Sequence, residues 1–331
     1  MLTKGRDFSF PIFRNATSPR AATRINQLLQ LSELNKLITR SNRGAFEQAE
    51  VNDDSIYGGK VWMKTAIHSN SRRVLSIGFE ESSCGMTCTY WHRYYNFNPA
   101  NGDRIDLRDL FTNAGFEEFS KAVAKRRSAK YRREVRQKVE REYQEFYLDT
   151  IGCFRNDNLT DYYIRSREIV IDGENCLVKG QKFDGLDMIV RFKLGDFRNY
   201  LNAYGRIIFG LSNGPIAKFR SDRLPQLFVG SINGSFPIAM VLNREFGTGL
   251  RGMYAYLKFG EGIGLRGNET EAGAKITEYV LSPATEMKAY GPVRTYKENA
   301  QISGFLKDGT FEGTWSSRDG SSTFPLRVSK E

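Results

Sequence analysis

The sequence predicts an α+β region of antiparallel sheet and helices, followed by an all-β meander that closes into a small barrel or sandwich. Three observations carry this. The aromatic stretch from Tyr94 to Phe111 turns on Asn101-Gly102, a dipeptide that tolerates positive φ and so favours a hairpin. A helical pattern covers 115–147, the longest in the chain. Beyond Gln226, short strand-like runs come at even spacing, and 15 of the chain's 31 glycines lie there. A chain of 331 residues is too long for one ordinary core, which predicts two domains, 1–212 and 226–331. Gly214-Pro215 and Pro225 mark the join.

In chain order, 7–13 alternates apolar and polar residues like an edge strand ended near Pro11. Ser18 can cap a helix, Pro19 suits its first turn, and Ala22, Ile25, Leu28 and Leu29 share a face. A second helical patch spans 31–38, and 40–52 is polar and reads as a loop. Strands are expected at 60–67, 74–80, 90–98 and 105–107. Asp106 and Asp109 supply acceptors for the helical turn that follows. After the long helix, strands are expected at 162–166, 168–171 and 186–192, with Phe197, Tyr200, Leu201 and Tyr204 at helical spacing. The last third predicts strands at 227–232, 235–243, 250–258, 262–267, 274–281, 300–306, 310–316 and 322–328, with a loop over 283–299.

Charge is concentrated in one place. Residues 121–141 hold ten basic and two acidic side chains, a net +8 of the chain's +11. The apolar stripe of that helix (Phe116, Phe119, Val123, Tyr131, Val135, Val139, Tyr143, Phe146) is narrow. This leaves Arg126, Arg127, Arg132, Arg133 and Arg136 as candidate partner-binding residues. No nucleic-acid-reading motif accompanies them, and the stripe is too narrow for a membrane-surface helix. An acidic protein or glycan partner fits, and the plain alternative is a solvated face that keeps the protein soluble.

No apolar run approaches the roughly 20 residues of a membrane span, and the first thirty residues lack a secretion signal's apolar core. That leaves a cytoplasmic protein or a mature, trimmed chain. The four cysteines favour the second, hence a periplasmic or extracellular place. The pairing Cys84–Cys88 and Cys153–Cys176 is expected, because a short Gly-containing turn holds the first two close. A four-cysteine zinc site is the rival, with the second pair too widely spaced for it; four buried thiols are the plain alternative.

Phe8-Ser9-Phe10-Pro11 leading to Ala21, Ile25, Asn26 and Leu28 is similar to the opening of a bacterial extracytoplasmic domain. That domain belongs to the lysozyme-sensing anti-sigma factor and to some peptidoglycan deacetylases. Val74-Leu75-Ser76-Ile77, then Tyr95-Asn96-Phe97, Gly102 and Leu107-Arg108-Asp109-Leu110-Phe111 resemble its strand, hairpin and helix start. Phe183-Asp184-Gly185-Leu186, Phe192, Tyr204 and Ile207 resemble its close. The turn that is Gly-rich with a His in these relatives is Cys84-Gly85-Met86-Thr87-Cys88 here, so the partner's identity does not carry over. The last third resembles a β-rich envelope module that brings no activity, on Gly252 to Tyr256, Ile263 to Gly267, Thr277 to Tyr279 and Phe311 to Trp315.

Of the two histidines, His68 follows a strand and His92 lies among Tyr90, Trp91, Tyr94 and Tyr95. Neither has a metal-ligand or acid–base spacing, and structural roles are expected for both. The glycine clusters at 230–234 and 260–264 open no helix and read as turns. The expectation is therefore a non-enzymatic envelope binding protein with no cofactor, no metal and no catalytic residue. It would use the basic helix, with Tyr90, Trp91 and His92 as further partner-binding candidates, on a protein (a lysozyme-like or other cell-wall enzyme, on the model of the relatives) or a cell-wall glycan, with an acidic partner expected. The alternatives are a cell-wall hydrolase or deacetylase accessory, and a lipocalin-like carrier using the barrel.

Overall fold

The computed structural model describes residues 1–15, 17–39, 44–50, 59–84, 88–155, 159–173, 185–221, 223–245, 247–288 and 291–330. Of residues 150, 155, 283–288 and 291–294 it describes the backbone alone. The order is β1 (Leu2–Lys4), β2 (Phe8–Phe10), α1 (Pro19–Leu29), β3 (Lys60–Asn70), β4 (Leu75–Cys84), β5 (Cys88–Phe97), α2 (Asn113–Lys138) and α3 (Gln144–Asp149). Then come β6 (Tyr162–Arg165), β7 (Glu168–Ile171), β8 (Val190–Lys193), α4 (Leu194–Phe197) and α5 (Ala203–Ile208). The last third is β9 (Gln226–Ile232), β10 (Phe236–Arg244), β11 (Gly249–Tyr256), β12 (Gly262–Thr270), β13 (Gly273–Lys288), β14 (Gly291–Lys307), β15 (Thr310–Ser317) and β16 (Thr323–Ser329). The fold is α+β. It divides into two compact units, one of Met1–Val61, Ser83–Cys88 and Asp222–Glu331, the other of Trp62–Ser82 and Thr89–Ser221.

In the first unit, β9 to β16 form an antiparallel meander. Its last strand pairs back on its first, Leu326 against Ile232 and Ser329 against Val229. That pairing decides for a closed barrel over a sandwich, and it removes the open sheet edges. Alternate residues point inward, and Phe228, Met240, Leu242, Leu250, Leu265, Ile276, Ile302, Phe311 and Val328 pack inside. Strands cross so tightly that a Cβ at Gly230 would lie 2.0 Å from the Arg327 carbonyl oxygen, and one at Gly267 2.0 Å from that of Lys275. Only glycine fits such crossings. The segment expected as a loop over 283–299 is instead strand: β13 runs to Lys288 and β14 starts at Gly291. The register jumps between Leu281 and Thr285, so Pro283 sits in an irregularity where its missing N–H breaks no ladder bond.

Helix α1 begins with Pro19 in its first turn, and buries Ala21, Ala22, Ile25, Leu28 and Leu29. It lies against β9 and β10, and the π turn after it, Gln30–Leu34, lies against β10 and β11. The outward-pointing Leu227, Ala239, Val241 and Ala255 are buried with it. Small residues on the wall let the helix approach closely, and each buried Leu or Ile contributes about 1.5–3 kcal/mol.

In the second unit β3, β4 and β5 lie side by side in that order, and β6, β7 and β8 form a second antiparallel sheet. Asn96 joins the two. Its Oδ1 accepts from Ser76 Oγ at 2.6 Å and from the Ile164 N–H at 3.1 Å, and its Nδ2 donates to the Tyr162 carbonyl at 3.0 Å. At the Asn101-Gly102 turn only Gly102 takes positive φ, +81°. The returning chain makes one bridge, Phe97 to Arg104, so the strand expected at 105–107 is absent. Instead Leu107–Leu110 forms a 3₁₀ turn, with Asp106 accepting from the Arg108 N–H and Asp109 from the Asp106 N–H. Leu107, Leu110, Phe111, Phe116, Phe119, Ile164, Ile169, Phe192 and Phe197 share the core.

The expected helix over 115–147 is two helices. Thr112 caps α2, its Oγ1 accepting from the Gly115 N–H at 3.0 Å, and Val139 ends it in extended conformation. The break lets the chain fold back, so that Val139, Tyr147, Leu148 and Ile151 pack on Tyr131, Val135, Phe154, Leu186 and Met188. A straight helix would hold these apolar residues in water. The expected strand 186–192 shortens to β8, and the helical spacing of 197–204 becomes α4 and α5.

Candidate functional site

Helix α2 sorts its basic residues by face. Arg127 follows Val123 and precedes Tyr131 by four residues each, on the buried stripe, and is only 1% exposed. Its guanidinium carbon lies 4.7 Å from the Phe154 ring centroid. A Cβ at Gly173 would come within 2.9 Å of Arg127 Nη2, so the bare glycine backbone makes room for it. Arg126, at the edge of the stripe, donates to the Arg191 carbonyl, pairs with Asp196 at 3.3 Å, and covers the Phe192 ring at 4.0 Å. Lys130 donates to the Ile189 carbonyl and pairs with Asp187. Lys138 donates to the Gly185 carbonyl and pairs with Glu134 at 3.0 Å. Burial pushes the Glu134 carboxyl upward, but bonds from Lys138 and the Asp187 N–H outweigh it and hold the group below the usual range.

The opposite face is different. Lys125, Arg132, Arg133 and Arg136 are exposed, and none of them makes a hydrogen bond or ion pair with a described residue. Lys125, Arg132 and Arg136 are spaced seven and four apart, which puts them within about 40° around the axis; Arg133 flanks them. Ala122 and Ala129, also exposed, leave the charged tips standing above a low surface. Of the five candidate arginines, then, Arg126 and Arg127 are engaged within the unit, while Arg132, Arg133 and Arg136 form an outward cationic face.

On β5 the three candidates do not form one patch, because alternate residues point to opposite faces of a strand. Tyr90 is 45% exposed and shares a face with His92. His92 Nδ1 lies 2.8 Å from Asp172 Oδ2, and the Tyr94 hydroxyl donates to the same oxygen at 2.6 Å. Trp91 points to the other face, its Nε1 donating to the buried carboxylate of Glu81. His68 stacks on Tyr163 with centroids 3.7 Å apart. Burial, then the charge of Arg165, lower its pKa to about 4. The absence of a Cβ on Gly78 leaves room for the ring, since a Cβ there would lie 2.5 Å from Nε2. In the sequence, Asp172-Gly173 is only a turn-forming pair. The role of Asp172 as the anchor of His92 and Tyr94, about 80 residues away in the chain, has no local signal. The pair can orient an imidazole, and among the described residues no cluster of three His, Cys, Asp or Glu could hold a metal beside it.

Cys84 and Cys88 are joined by a disulfide. Ser76 with Asn96 and Glu81 with Trp91 are cross-strand pairs in the same register, so the bridge ties the ends of one hairpin. No described cysteine is free. Cys176, and with it the expected Cys153–Cys176 pairing, lies outside the described residues. No helix among them is long and apolar enough to cross a membrane.

No protein-family model matches the chain, and no curated protein matches it.

Proposed function

We propose that this chain is a non-enzymatic binding protein of a bacterial envelope, and that it recognises an acidic protein or an anionic cell-wall glycan. One observation carries the proposal: Lys125, Arg132, Arg133 and Arg136 stand exposed on one face of α2 without a partner among the described residues, while their neighbours Arg126, Arg127, Lys130 and Lys138 are engaged. Fold stability does not require the outer set. Charge held this way accelerates encounter with a partner of opposite sign and confers salt sensitivity within a Debye length of about 8 Å. The Cys84–Cys88 disulfide supports an oxidising compartment. The resemblance of residues 7–210 to the anti-sigma and deacetylase-associated domain suggests the cell-wall context.

The test uses defined anionic probes, immobilised polyglutamate and purified cell-wall sacculi. The chain should be retained by at least one at low salt and released as salt rises. Reversing Arg132, Arg133 and Arg136 to Glu should abolish retention and leave the thermal melt unchanged. A folded triple variant retained like the parent would place binding elsewhere, and no retention of the parent by either probe would overturn the acidic partner.

A further inference from the structure

One end of the barrel holds a buried carboxyl group with no positive partner among the described residues. Glu278, on β13, is 1% exposed. Its Oε2 accepts from the Tyr254 hydroxyl at 2.6 Å and from Trp315 Nε1 at 2.7 Å; its Oε1 accepts from Asn299 Nδ2 at 2.5 Å. Strands β11 and β15 are each one strand removed from β13, so the Tyr254 and Trp315 bonds cross the interior rather than the wall. All three donors are neutral, and no Lys, Arg or His pairs with Glu278 among the described residues. Neutral donors satisfy oxygens but leave the charge, and a buried carboxylate is costly without a counter-charge. Each carboxylate oxygen offers two acceptor directions. Oε2 uses both, Oε1 one.

The surroundings are aromatic and partly open. Tyr254 and Tyr256 meet edge to face at 5.6 Å, and Trp315 stacks on Phe324 at 5.7 Å. Above them Tyr256 contacts Phe236 and Phe259, which are 48% and 56% exposed. Lys258 already sets its ammonium 5.2 Å from the Phe259 centroid, so a ring of this rim accepts a cation on its face. The register also changes at this level: Glu278 pairs with Ala300 and Tyr279 with Glu298. Asn299 is therefore the extra residue, and its bulge aims the amide at Glu278. Bulges recur where a side chain must be re-aimed at a site. Below this level the barrel is filled by Leu250, Leu265, Ile276, Ile302 and Phe311, so a ligand can be only small.

From this we infer that the barrel takes a small organic ammonium at this end, with the charge received by Glu278 and the faces of Tyr254, Tyr256 and Trp315. Aromatic rings beside a carboxylate are the chemistry that recognises alkylammonium groups, and barrel mouths are favoured ligand sites. The ammonium donates to the open position of Oε1, and the exposed Asn299 amide is the donor that competes with it there.

The test is calorimetric titration of the full chain with n-butylammonium chloride, and with 1-pentanol as a neutral alcohol one atom longer. Butylammonium should bind one to one, and 1-pentanol at least tenfold more weakly. Glu278→Gln keeps one oxygen for Tyr254 and Trp315, puts a neutral amide nitrogen in place of Oε1 and removes the charge, and should weaken butylammonium at least tenfold. Asn299→Ala should tighten it severalfold. Tyr256→Ala, at the half-exposed rim, should weaken it at least fivefold without shifting the melt, and it decides the matter should Glu278→Gln fail to fold. No binding by the parent, equal affinity for 1-pentanol, or a folded Glu278→Gln or Tyr256→Ala variant that binds like the parent would each overturn the site. The Arg132, Arg133 and Arg136 reversal should leave butylammonium affinity unchanged, so this inference and the acidic-partner proposal fail separately.

Discussion

His68 sits against Tyr94 and Tyr163 with Arg165 nearby, and the fold opposes its protonation. Its pKa is about 4 in place and about 6.5 in the unfolded chain. Between those values the unfolded chain binds more protons, so stability rises with pH across the window. The contribution is complete above about 6.5 and is lost as pH falls toward 4. After discounting solvent screening of the half-exposed ring, it is at most about 2 kcal/mol. Urea unfolding at pH 7.5 and 4.5 should show it as a loss that shrinks in His68→Phe. An equal loss in both chains would mean that His68 does not carry it. At the same scale, the Cys84–Cys88 bridge closes a very short loop. The chain-entropy model gives such a loop only about 2 kcal/mol. A Cys84→Ser, Cys88→Ser double variant should lose no more than that by denaturant unfolding, and a larger loss would show that the hairpin end is held by the bridge alone.

Helix α2 shows how much one element discloses before its neighbours are known. The spacing of four in Val123, Arg127, Tyr131 and Val135 was legible, and it could have set Arg127 apart from Arg132 and Arg136. Its composition hides this, because arginine reads as surface by default. What no periodicity carries is the partner: Phe154 and Gly173 lie far along the chain, as does Asp172 from His92. Outside β13 and β14 the barrel strands were legible to within three residues at each end, since short runs come at even spacing between glycines. The β13–β14 extension was not, because Pro283 and Pro292 read as loop unless an irregularity absorbs one of them. For α2 the expected contrast is plain. Arg127→Ala should cost about 2–4 kcal/mol, as burial and ring contact are lost together. Arg132→Ala should stay within about 0.5 kcal/mol, as an exposed change does. Paired thermal melts check both, and a silent Arg127→Ala would remove the division of the helix into inner and outer cations.

At the scale of the molecule, the first helix and the last eight strands form one compact unit. Leu28→Ala, at a position 1% exposed, should therefore cost about 2–4 kcal/mol. It should also raise the binding of a hydrophobic dye, because Leu227 and Val241 lose their cover. A melt like the parent's would make α1 an ornament on the barrel. The pairing of chain ends has a consequence in time. About 200 residues separate α1 from β9, and synthesis at roughly 5–20 residues per second puts some 10–40 s between their emergence. For that interval the apolar face of α1 has no wall to lie on, while the second unit, encoded between them, can already have closed. Until β16 returns to β9, residues Ala22, Ile25 and Leu29 are a sticky, waiting surface, the stretch of the nascent chain that a holding chaperone would find first.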